Sequence, residues 1–168
     1  MAVGMKKQKK RTKAFNPNKH RINSLAGLNV IKKHQPLTID EQRELCQSAV
    51  TSLNAMQFGI DLSPNDFTIL CDVINISLVF TERGLGKEYL DELYAARDAL
   101  QRSKMRFLDS GKLGFFGLDL DTMKFALKVH NWQLERCSFG MFESAYETQN
   151  ERIKAGNFYR GESERLAA

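Results

Sequence analysis

From Thr38 onward, apolar residues recur at three- and four-residue intervals, the spacing that gathers them on one face of an α-helix. Thr38-Ile-Asp-Glu41 reads as a capping box that opens the first helix, because the Thr hydroxyl and the Glu carboxylate can satisfy exposed backbone N–H groups reciprocally. Leu45, Ala49, Leu53 and Met56 follow, and Gly59 supplies a stop. Ser63-Pro64-Asn65-Asp66 opens a second helix running to about Glu82, with Gly84 as terminator. Phe67, Ile69, Leu70, Val73, Ile74, Ile76, Leu78, Val79 and Phe80 cover most of its circumference, which places it in the middle of a bundle. Their β-branched density also permits a buried strand, but the caps and the length decide for helix.

A third helix is expected from about Gly86 to Leu108, on the stripe Tyr89, Leu93, Ala96, Leu100, Ser103 and Phe107. The glycine-bearing segment 109–117 is then a loop whose Phe115 and Phe116 tuck onto the core. A last helix is expected to begin at Asp119 or Asp121 and extend unbroken to about Ala155. Its stripe is Met123, Leu127, His130, Leu134, Cys137, Met141 and Ala145. At ~35 residues it would measure about 50 Å and overhang the others. Gly140 inside it marks a bend or a close helix contact. The prediction is an all-α protein: a four-helix bundle over residues 37–156, a flexible arm over 1–36, and a tail over 157–168. Residues 25–34 read as a docking segment or a short helix at the base of the arm, although Gly27 and Asn29 weaken the helix.

Charge changes this picture most. Lys6, Lys7, Lys9, Lys10, Arg11, Lys13, Lys19, Arg21, Lys32 and Lys33 all precede Asp40, the first acidic residue. The remaining chain holds 15 basic against 20 acidic residues, so a net charge of +5 conceals a cationic arm and an anionic body. A segregated basic arm suits a polyanion, since each cation displaces a condensed counterion from phosphate. Such contacts give affinity without sequence readout. These ten residues are the candidate nucleic-acid contacts, to DNA or RNA. The run Lys6–Lys13 also reads as a localisation address, as a solubilising tail, or as a membrane-surface patch. The last lacks the second anchor that stable attachment needs.

Chemistry beyond the arm is sparse. Cys46, Cys71 and Cys137 form no C-x-x-C pair, which fits reduced thiols in a cytoplasmic protein rather than a zinc site or a disulfide framework. No apolar stretch of signal-peptide or membrane-spanning length follows the basic start. Asp109-Ser-Gly-Lys112 fails as a phosphate loop, because the earlier Gly, the metal-binding hydroxyl and a preceding strand are missing. His130 on the apolar stripe reads as a hydrogen-bonded core residue. Trp132 and its aromatic neighbours read as core rather than as a base-stacking platform. Asp72, with Thr68 and Asn75, makes a polar strip on an apolar helix; Asp119 and Asp121 would have to converge on it to make an acid/base or metal site. Arg97, Arg102, Lys104, Arg106 and Lys112 form a basic cluster that either extends the arm's footprint or is a solvated helix face.

The expected function is therefore a non-enzymatic, nucleic-acid-associated accessory or regulatory protein, without cofactor or metal. Its arm would hold phosphate and its body would contact a protein partner, in the cytoplasm, or in the nucleoid or nucleus if the basic run is an address. The alternative is a protein-interaction or inhibitory module working through the overhanging last helix, alone or as an oligomer, with the arm docked on an acidic protein.

Overall fold

The computed structural model describes residues 29–59 and 62–156. The arm cations from Lys6 to Arg21 and the tail 157–168 lie outside the described residues. All regular structure within the described residues is helical. Helix α1 spans Ile39–Phe58, α2 Pro64–Glu82, α3 Leu90–Ser110, α4 Leu118–Leu134 and α5 Phe139–Lys154, with a 3₁₀ turn over Lys87–Tyr89 before α3. A short helical segment at 29–34 precedes α1.

The helix starts follow from capping chemistry. Thr38 Oγ1 accepts from Glu41 N at 3.2 Å, and Glu41 Oε2 accepts from Thr38 N at 2.8 Å. Ser63 caps α2 in the same reciprocal way with Asp66, behind Pro64. Such caps contribute about 1 kcal/mol each. Gly59 and Gly111 close α1 and α3 in the left-handed region, at φ 66° and 69°, where a side chain would be strained.

Helix α2 lies at the centre and packs on each of the other four. Its Leu70, Ile74 and Leu78 meet Leu53 and Met56 of α1, Leu93 and Leu100 of α3, and Met123 of α4 in one apolar cluster. Its Ile76, Val79 and Phe80 join Leu37, Leu134, Cys137 and Ala145 in a second. Burial of each large side chain stabilises the fold by roughly 1.5–3 kcal/mol. Three polar side chains, Ser77, His130 and Gln133, are buried with these residues. His130 Nδ1 and Ser77 Oγ are hydrogen-bonded at 2.8 Å, and Gln133 Nε2 donates to the carbonyls of Ser77 and Leu85.

Three expectations are corrected. The single long last helix is two helices, α4 and α5, separated at Glu135–Ser138. The cause is a tertiary pairing. Phe139 N donates to Gln35 O at 2.8 Å and Pro36 forms an antiparallel bridge with Ser138, so this backbone is taken out of the helical ladder. Ser138 Oγ then restarts the helix by accepting from Met141 N. Helix α5 consequently does not overhang: it packs on α2, burying Ala145 and Gln149, and Arg152 pairs with Glu82 at 2.6 Å. Second, neither Asp119 nor Asp121 caps α4: the helix begins at Leu118 with Gly117 in the cap position and no side-chain cap, so both carboxylates lie in its first turn, and Asp119 is bound to arginines of α3. Third, only Phe115 tucks inward, while Phe116 is 60% exposed.

Candidate functional site: the root of the basic arm and a polar cleft

The arm leaves the body at a built corner. Gln35 and Pro36 are held by the α4–α5 connection, and Leu37 is buried in the second apolar cluster. Gly140 permits the approach: a Cβ there would lie 2.8 Å from the Lys33 carbonyl oxygen. Of the ten candidate nucleic-acid contacts, the described residues include two. Lys33 Nζ pairs with Glu143 at 2.9 Å, a contact that raises the Lys33 pKa. Lys32 Nζ stands 4.2 Å from the centre of the Phe139 ring and 4.0 Å from Glu41. Both cations are thus engaged by the body at the root of the arm.

The basic cluster of α3 is divided. Arg102 donates twice to Asp119 Oδ1, at 2.7 and 3.0 Å, and Arg106 donates to Asp119 Oδ2 and to Gly114 O. Burial raises the Asp119 pKa, but the hydrogen bonds from Arg102 and Arg106 outweigh it and hold the carboxyl below its ordinary range. This clamp fastens the α3–α4 loop and is not a free cationic surface. Arg97 and Lys104 line a cleft instead.

That cleft, about 320 Å³, opens between α2, α3 and α5. Its polar centre is Asp72, whose Oδ1 accepts from Gln149 Nε2. Burial pushes the Asp72 pKa up, and the Gln149 hydrogen bond only moderates this. Gln149 is buried to 2% exposure, yet its Oε1 has no hydrogen-bond partner among the described residues. Phe67, Leu78, Leu100 and Ile153 supply apolar wall. Cys71 also lines the space, but burial and the neighbouring Asp72 carry its thiol up to about 12, which keeps it protonated and a poor nucleophile.

The sequence singled out Asp72 but missed Gln149, which stands 77 residues away on what read as part of an overhanging helix. The convergence on Asp72 that an acid/base or metal site would need is not made by Asp119, which is committed to Arg102 and Arg106. Among the described residues no group of three or more His, Cys, Asp or Glu side chains converges as metal ligands would. His130 is enclosed, with burial lowering its pKa to about 4. Trp132 meets Tyr89 edge-on at 5.8 Å and carries the Arg136 guanidinium 4.5 Å from its ring centre. Among the described residues, no helix is long and apolar enough to cross a membrane. No family model, curated protein or solved structure matches this chain.

Proposed function

We propose that this protein is a non-enzymatic nucleic-acid-associated accessory protein, attached to phosphate through its basic arm. The observation that carries the reading is the charge partition: eight cations between Lys6 and Arg21, without one carboxylate before Asp40. The docked root supports it. Gln35 and Pro36 tie the arm's base to the body, and Lys32 and Lys33 meet Glu41 and Glu143. The proposed phosphate contacts are accordingly Lys6, Lys7, Lys9, Lys10, Arg11, Lys13, Lys19 and Arg21, with Lys32 and Lys33 as anchors.

A protein partner for the body is the second part of the proposal. Phe107, Leu108, Phe116 and Leu118, around the α3–α4 loop, remain 49–79% exposed, and exposed apolar side chains of this size favour burial against a partner. The non-enzymatic reading draws on the enclosed His130 and the protonated Cys71, neither suited to proton transfer or attack at neutral pH. The test is binding of duplex and single-stranded nucleic acid by the intact chain and by a chain in which Lys6, Lys7, Lys9, Lys10, Arg11 and Lys13 are replaced by Gln. Weakened binding by the substituted chain supports the reading; equal binding overturns it.

A further inference from the structure

The cleft between α2, α3 and α5 opens beside the point where the described residues end. Arg152 and Ile153, on the last turn of α5, line it. Gly156 then turns the chain in the left-handed region, at φ 73°, with its N–H on the Ile153 carbonyl. Asn157-Phe158-Tyr159-Arg160-Gly161-Glu162 follows. This segment therefore leaves α5 next to the cleft. Arg152 pairs with Glu82, which places the end of α5 near the turn that joins α2 to α3. Asp72 lies about ten residues, or 15 Å, back along α2. Extended, the chain from Gly156 to Glu162 reaches up to about 20 Å, enough to pass Asp72.

The chemistry of the segment matches what the cleft leaves open. Phe67, Leu78, Leu100 and Ile153 form its apolar wall. Asp72 is the acidic side chain of its lining and makes no ion pair among the described residues; the Gln149 amide is its hydrogen-bond donor. Lys104, on the α3 side, is exposed and likewise makes no ion pair among the described residues. In an extended segment alternate side chains share a face. Phe158, Arg160 and Glu162 then point one way, and Tyr159 and Gly161 the other. The inward face offers a ring, a guanidinium and a carboxylate to an apolar wall, a carboxylate and an ammonium. Space suffices: an apolar cavity of about 150 Å³ holds a benzene ring, and this cleft measures about 320 Å³.

We propose that residues 157–162 fold back into this cleft, with Phe158 on the apolar wall, Arg160 at Asp72 and Glu162 at Lys104. The chain thereby closes its own cleft, and any outside partner reaches the space only by displacing the segment. No residue of the arm takes part, so the proposal does not rest on the arm's role.

The experiment is methyl NMR of the full chain. Expected are nuclear Overhauser contacts from the Phe158 ring to the methyl groups of Leu100 and Ile153, and a ring-current shift of the Leu100 signals that is lost in Phe158→Ser. Lys104→Glu, a change at an exposed position that keeps the fold, should lower the ratio of docked to undocked chains about two- to five-fold, the range for one exposed ion pair. The Leu100 signals should then move toward their Phe158→Ser positions. Adding Glu162→Lys should restore them, which a purely local effect of position 104 would not do. Absence of contacts between Phe158 and Leu100, with Leu100 signals indifferent to Phe158→Ser, would overturn the proposal. So would contacts seen only between labelled and unlabelled copies in a mixed sample, since the seat would then belong to a second copy. Failure of Glu162→Lys to restore the Lys104→Glu signals would overturn the pairing of Glu162 with Lys104.

Discussion

The backbone of Gly140 rests against the Lys33 carbonyl so closely that a Cβ at position 140 would lie 2.8 Å from that oxygen. This contact joins the two parts of the molecule. It seats the segment that leads into the basic arm in the notch between α4 and α5, beside the Phe139–Gln35 hydrogen bond. Gly140→Ala must push the Lys33 backbone away. Overpacking of this kind costs about 1–3 kcal/mol, so thermal denaturation should show a lowered melting temperature. An unchanged value would mean that the root is not seated this way.

Lys32 and Lys33 differ from the other arm cations because Glu41 and Glu143 already engage them. Replacing both by Gln should leave the salt dependence of nucleic-acid binding close to that of the intact chain. The exposed Lys33–Glu143 pair should add little to stability, as surface pairs do. A salt slope that falls by about two, the value for two lost phosphate contacts, would show that both lysines reach nucleic acid.

His130 gives the fold a pH dependence of definite sign. Its folded pKa is about 4, against 6.5 ordinarily, because burial disfavours the cation. Between those values the unfolded chain takes up a proton that the folded chain refuses. Stability contributed by neutral His130 is thus fully present above pH 6.5 and falls as the pH drops toward 4, by roughly 2–3 kcal/mol. Urea denaturation across this window should show a steeper decline for the native chain than for His130→Gln. Parallel curves would refute the enclosed, neutral histidine.

Asp119 acts in the acid range. Its pKa lies below the ordinary 3.8 because the Arg102 and Arg106 hydrogen bonds overcome the effect of burial. Its contribution is therefore present above that value and lost as the pH falls through the lowered folded value. Asp119→Ala leaves Arg106 without its carboxylate and should cost about 1–3 kcal/mol near neutral pH. Denaturant unfolding measures this, and a cost near zero would remove the clamp from the account.

The helix starts at Thr38 and Ser63 and the stop at Gly59 were readable because capping is local chemistry within four or five residues. So was the central place of α2, from the apolar run Phe67–Phe80. The division between α4 and α5 was hidden: Leu134, Cys137 and Met141 keep helical spacing across it. The interruption comes from Gln35 and Pro36, about a hundred residues earlier in the chain. Gly140 was flagged as a bend or a close helix contact, but its partner Lys33 was not visible. For the cleft, Asp72 stood out as a carboxylate on an apolar helix. Gln149 carried no local signal, since its importance arises only when α5 folds back on α2.

The most direct test of the account is the salt dependence of duplex binding, followed by fluorescence anisotropy. For the intact chain, eight cations from Lys6 to Arg21 predict a slope of log affinity against log salt of about −7. With Lys6, Lys7, Lys9, Lys10, Arg11 and Lys13 replaced by Gln, the two remaining cations predict about −2. The same steep slope and affinity in both chains would contradict the assignment of phosphate binding to the arm.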